Sequence, residues 1–229
     1  MSAPALSAAR TALEAARDSL HLADLSWLEP EGERDAWTLA DDTLRFLTCL
    51  LEHLRPRRVL EFGSGVSTRV LAAGGARPDG PASVTALEND PVFAARTVEA
   101  LRGDGRLGRA RVELTPVVVR RWYGRNLPVY HLPDSILEGP APQLVLVDGP
   151  PLPLGGRAGS LLQAVHLAGA GTLVLLDDAQ RDSEQAALAL VGRLFPGSIE
   201  VELLDGFAKG LAAVVVREAL DGTAMPPAA

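Results

Sequence analysis

Cysteine is scarce, basic residues are outnumbered and long apolar runs are missing in this 229-residue chain, and each of these excludes something. Cys49 is the sole cysteine, so no internal disulfide and no cysteine cluster for zinc can form. It falls on the apolar stripe of an expected helix, where a packed thiol is the ordinary outcome, and a reducing cytoplasm suits it. Lys209 is the one lysine among 22 basic residues, which are outnumbered by 29 acidic ones. A net charge of -7 argues against a surface built to neutralise the phosphates of a nucleic acid duplex. Runs of about 18 apolar residues are absent, and MSAPALSAARTALEAARDSL has no basic head leading into an apolar segment, so neither membrane insertion nor export is expected.

What is present is a change of rhythm along the chain. Residues 5–22 and 38–54 carry leucines at helical spacing, separated by the polar connector SWLEPEGERDAW with Trp27 and Trp37 at its ends. After Pro56 short apolar runs alternate with helical segments. Strands are expected at 58–62, 83–88, 111–115, 143–148, 172–177, 199–204 and 211–216, with helices at 67–73, 91–102, 158–169 and 182–194. This alternation implies a doubly wound α/β fold with a mostly parallel seven-stranded sheet. The last two strands are joined by a link too short for a helix, hence an antiparallel edge hairpin. The organisation expected is an N-terminal helical extension or cap at 1–55, a ligand-binding domain at 56–217 and a flexible tail at 218–229.

The first expected strand ends in VLEFGSGVST. In a doubly wound sheet this is where ligands bind, and Gly63 and Gly65 let a ligand approach the backbone at the start of a helix. Glu88 ends the next strand, in VTALEND, where an acid can accept both hydroxyls of a ribose. Glycine loop and acid together favour an adenosine-containing ligand over a merely solvated strand end. Nicotinamide is disfavoured because Thr68 stands at the third position of GxGxxG. No GxxxxGK[ST] loop for nucleotide hydrolysis is present.

EFGSGVS, ALEND, LVLVDGPP and LVLLDDAQR, followed by the edge hairpin, together resemble the class I S-adenosylmethionine-dependent methyltransferases over about residues 56–217. The resemblance implies a Rossmann-like methyltransferase fold. It implies that Glu61, Gly63, Ser64 and Gly65 bear the methionine part of the cofactor, with Ser67 in the same loop where many members have a third glycine. Glu88 would take the ribose. An acid after the third strand, which often helps to hold adenine, is missing, and Thr115 or nearby backbone is its expected replacement.

Asp148, in LVLVDGPP, is expected beside the transferable methyl group, and Asp177 and Asp178 end the next strand. These three carboxylates could hold Mg²⁺, an arrangement similar to that of catechol-type O-methyltransferases. Otherwise Asp148 acts as an unaided base, and Asp177 or Asp178 caps a helix. The loop with Gly155, Gly156 and Arg157 either covers the pocket or only anchors the next helix. In RRWYGRN, Trp122 and Tyr123 either stack on an acceptor or pack in the core, and Arg120, Arg121 and Arg125 either meet an acidic substrate or are solvated. His131 and His166 are bases by residue type alone, and His166 is expected in a packed helix. The implied function is methylation of a small molecule, at oxygen, in the cytoplasm. Two alternatives are a domain that binds an adenosine cofactor without turning it over and an NAD-dependent oxidoreductase. The N-terminal helices are expected over the strand ends as a cap or a homodimer surface.

Overall fold

The computed structural model describes residues 3–29, 37–74 and 83–220. Seven strands form the main sheet: β1 (Arg58–Phe62), β2 (Ser83–Glu88), β3 (Ala110–Leu114), β6 (Leu144–Val147), β7 (Leu173–Asp177), β8 (Ile199–Leu204) and β9 (Leu211–Val216). Their order is β3-β2-β1-β6-β7-β9-β8. All neighbours are parallel except β9, which runs antiparallel to both β7 and β8. The expected sheet and edge hairpin are therefore present, and the strand order reverses between the parallel neighbours β1 and β6, which places a crevice at their carboxyl ends.

The sheet is buried on both faces because both faces are covered. Leu144 and Leu146 of β6 belong to one apolar cluster, whereas Val145 and Val147 belong to the other. On the first face lie α1 (Ala3–Asp18), α2 (Asp41–Leu54) and α3 (Val66–Ala73), with Leu101 of α4 (Pro91–Gly103). The second face is covered by α6 (Ala158–Leu167) and α7 (Asp182–Leu194). Each fully buried leucine or valine contributes roughly 2 kcal/mol, which explains why β6, β7 and β9 are continuous apolar runs, whereas the edge strands β3 and β8 carry exposed charged residues.

Helices α1 and α2 thus lie on a face of the sheet and share its core, rather than standing over the strand ends. Ala9, Ala12, Leu13 and Ala16 form the buried side of α1. Arg10 and Arg17 on its outer side reach Glu200 and Glu202 of the edge strand β8. The connector between the helices does reach the crevice, through Trp37, Thr38 and Leu39; its residues 30–36 lie outside the described residues. So do residues 221–229 of the expected tail.

A second, two-stranded sheet was not expected. Strands β4 (Val117–Trp122) and β5 (Arg125–Tyr130) pair antiparallel through the loop Tyr123-Gly124, both at positive φ (48° and 74°). A short helix α5 (Asp134–Leu137) follows. Positive φ at both loop residues matches the twist of a two-residue hairpin. The hairpin packs on α6: the Tyr130 amide donates to Gln163 Oε1 at 3.0 Å, and Gln163 Nε2 donates to the Tyr130 carbonyl at 2.7 Å. Gly159 sits so close to β5 that a Cβ there would lie 1.8 Å from the Pro128 carbonyl oxygen.

Candidate active site

Strand β1 delivers Glu61 to the interior, fully buried, where Thr68 Oγ1 donates to it at 2.6 Å and the Ser67 hydroxyl also donates. Thr68 Oγ1 in turn accepts from the Gly65 amide at 3.0 Å, so one chain of hydrogen bonds fixes the loop to the strand. Gly63 has a φ of +102°, which an L side chain adopts only with strain, and its Cα faces the Asp148-Gly149 backbone.

Burial pushes the Glu61 carboxyl up to about 7, outweighing the two hydroxyl donors, with nearby Glu88 adding to the rise. Because the folded-state value lies above the ordinary 4.5, this group favours folding at low pH, and that contribution is lost as pH rises through about 7. We expect wild type to lose about 2–3 kcal/mol more stability than Glu61→Gln between about pH 5 and about pH 8, read from urea unfolding at both pH values. Equal losses would show that Glu61 is ionised when folded.

Strand β2 ends in Glu88, which is 6% exposed. Its Oε1 accepts from the Asn89 and Asp90 amides at 2.8 and 2.9 Å, and its Oε2 accepts from Ser64 Oγ at 2.9 Å. Asp90 then caps α4, accepting from the Val92 amide at 2.7 Å, with Pro91 opening the helix. The carboxylate is thereby held rigidly beside the glycine loop.

Between these groups opens a cleft of about 630 Å³. Gly63, Ser64, Gly65, Ser67, Glu88 and Asp148 all line it, together with Asp178. Asn89, Phe93, Thr97 and Tyr130 line it as well, and Tyr130 Oη donates to Asn89 Oδ1 at 3.3 Å. Further along lie Trp37, Pro151, Leu154, Arg157, Arg181 and Lys209. Lys209 Nζ donates to the Thr38 carbonyl at 2.8 Å, tying the connector to the β8–β9 turn.

Asp148, Asp177 and Asp178 do come together, each offering a carboxylate oxygen within 4.8 Å of the others. A residue read from sequence only as part of a covering or anchoring loop stands among them. Arg157, 6% exposed, donates from Nη2 to Asp148 Oδ1 at 2.7 Å and to Asp178 Oδ2 at 2.6 Å, and its Nη1 donates to the Asp177 carbonyl. Arg181 Nη1 adds a second cation on Asp178 Oδ2 at 2.7 Å. Burial pushes the Asp148 carboxyl well above the usual carboxylate range, against the pull of Arg157 and with Asp177 and Asp178 adding to the rise. Asp177 is pushed up to about 6, again first by burial, and its Oδ1 has no hydrogen-bond partner among the described residues. The Asp178 backbone carbonyl accepts from the Arg181 amide at 2.9 Å, but the N-cap position of α7 is Arg181 and neither aspartate caps the helix with its side chain, so the helix-capping alternative is set aside.

Neither family models nor curated proteins match the chain. Solved structures do. The chain is similar to cofactor-bound Rv0187 from MTB, at 23% identity over 95% of this chain and 91% of that one, with a TM-score of 0.60. Similarity extends to the O-methyltransferase TomG from Streptomyces achromogenes in complex with SAM, at 16% identity over 92% and 89% and a TM-score of 0.59. The O-methyltransferase from Bacillus cereus in complex with SAH matches at 16% identity over 90% and 91%, with a TM-score of 0.60. The chain has the class I S-adenosylmethionine-dependent methyltransferase fold.

The residues fit the cofactor of that fold. A positive-φ glycine opens the loop, and Glu88 is fixed at the cleft wall, where ribose hydroxyls can donate to it. They do not fit a resident Mg²⁺ in the methyltransferase arrangement considered from sequence. Arg157 already holds the carboxylates of Asp148 and Asp178 and the backbone carbonyl of Asp177, and a divalent ion about 4 Å from that guanidinium would be repelled by it by about 8 kcal/mol at an effective dielectric of about 20. The pairing was missed because nothing in GGRAGS marks Arg157 as an acid partner.

Other candidates lie elsewhere. Tyr123 Oη and His166 Nε2 are 2.9 Å apart, and with Trp122 and Phe195 they form an aromatic cluster between the hairpin, α6 and the end of α7. Of the alternatives for Trp122, Tyr123 and His166, packing holds. Arg120, Arg121, Arg125 and His131 are not among the residues lining the cleft. Thr115, expected near adenine, donates its hydroxyl to the His131 carbonyl and does not line the cleft either. Cys49 is buried and donates to the Ser19 carbonyl, and burial pushes its thiol up, as suits a packed rather than a reactive cysteine.

Proposed function

We propose that the protein is a cytoplasmic S-adenosylmethionine-dependent methyltransferase that methylates a hydroxyl oxygen of a small molecule, with residues 56–217 as the catalytic domain. The observation that carries this reading is a single cleft with Glu88 and Ser64 at one wall and Asp148 at the other, joined by the Gly63–Gly65 loop. Glu88, its Oε2 oriented by Ser64, would bind the ribose, and Glu61, Gly63, Gly65 and Ser67 would shape the cradle for the methionine part. When bound, S-adenosylmethionine supplies an electrophilic methyl group that an acceptor oxygen displaces in line.

Asp148 would take the acceptor's proton. Its side chain remains 15% exposed at the cleft, and burial raises its basicity. Asp177 is more deeply buried, and its backbone carbonyl accepts a hydrogen bond from Arg157. Trp37, Pro151 and Leu154 offer an apolar wall for the body of the acceptor. Two of the similar structures are described as O-methyltransferases, which agrees with oxygen as the acceptor. Among the described residues no helix is long and apolar enough to cross a membrane.

The test is transfer from S-adenosylmethionine with a labelled methyl group in a bacterial metabolite extract supplemented with total protein and nucleic acid. Label is expected in the small-molecule fraction, with transfer reduced by about 10²-fold or more in Asp148→Asn, the usual worth of a general base. Label confined to macromolecules would overturn the small-molecule reading.

A further inference from the structure

We propose that Arg157 is a built-in cation that replaces a divalent metal at the acceptor end of the cleft, so that the three aspartates bind no metal until Arg157 is removed. Three observations carry it. The guanidinium contacts each of the three residues, from two different nitrogens. It is 6% exposed and held from the cleft floor, so it is part of the wall and not a mobile surface side chain. Arg181 supplies a second positive charge on Asp178, so two fixed cations already offset most of the negative charge of the three carboxylates that an ion would need.

A guanidinium cannot lose its proton in a protein and has no acceptor lone pair, so it imposes on the site what an ion cannot. It fixes the direction of Asp148 through a hydrogen bond instead of drawing its oxygens into a coordination shell. It also leaves Asp148 free to accept a proton, whereas a metal-bound carboxylate is committed to the ion. The catalytic consequence, proton removal by Asp148 without a Lewis acid, rests on the methyltransferase reading; the exclusion of metal does not.

The experiment is a titration of MnCl₂ into the purified protein, followed by the paramagnetic signal of free Mn²⁺, with and without S-adenosylmethionine. Wild type is expected to show no saturable binding at millimolar Mn²⁺. Arg157→Gln is expected to gain one site per chain, at least about tenfold tighter than anything in wild type, and to lose it again when Asp178→Asn is added. One tight Mn²⁺ in wild type, abolished by Asp177→Asn, would overturn the proposal, as would a folded Arg157→Gln that binds none. If Arg157→Gln does not fold, the wild-type titration decides alone. Calorimetry with S-adenosylmethionine on the same wild-type sample reports separately on the methyltransferase reading, so failure of one is not mistaken for failure of the other.

Discussion

Replacing Glu88 by alanine is expected to weaken S-adenosylmethionine binding about 100-fold while leaving the fold intact. The carboxylate is already bound on one oxygen by two backbone amides and on the other by Ser64, so it needs no rearrangement to meet a ribose. Two hydrogen bonds to a charged acceptor are worth about 3 kcal/mol together in such a preorganised site, which is about two powers of ten in affinity. Ser64→Ala should cost less, since it removes only the contact that orients Oε2. Calorimetric titration of both variants checks the order, and an unchanged affinity in Glu88→Ala would show that the ribose lies elsewhere.

The second large effect is on stability. Arg157→Met is expected to destabilise the protein by about 3–5 kcal/mol, because it strands Asp148 as a buried acid without its partner and leaves Asp178 only the more exposed Arg181. For a chain of this size that corresponds to a fall in Tm of about 10 °C. The sign of its pH dependence follows from Asp148, whose carboxyl burial already pushes up: without Arg157 it can relieve its burial only by taking up a proton, so the deficit should shrink as pH is lowered. Arg181→Met, whose partner Asp178 keeps Arg157, should cost far less, since Arg181 is 43% exposed and solvent screens its pair. Thermal unfolding of the two variants distinguishes a buried bridge from a surface pair; comparable losses would contradict the role assigned to Arg157.

The main sheet was legible because several of its strands are apolar runs bounded by turn residues, and LVLV and LVLLD can be buried on both faces only in a covered parallel sheet. The β4–β5 hairpin was not, although VVVRRW and RNLPVY are respectable strand sequences. Its turn is Tyr-Gly, and a tyrosine at positive φ is stabilised by its packing against Phe195 and its bond to His166, not by local preference. Positions of Glu61, Glu88 and the three aspartates followed from where strands end. What those acids touch did not follow, since Ser64 reaches Glu88 and Arg157 reaches Asp178 across separate elements. Arg157 is nine residues from Asp148, and only the path of the loop through the short 3-10 turn at Leu152–Leu154 returns it to the cleft.

The central claim is that this cleft holds S-adenosylmethionine rather than another adenosine cofactor. Calorimetric titration of wild-type protein with S-adenosylmethionine, and separately with NAD, in the presence of EDTA tests it most directly. Saturable binding of one S-adenosylmethionine per chain with no heat from NAD is the predicted result. Heat from NAD and none from S-adenosylmethionine would contradict it and return the glycine loop to nicotinamide chemistry.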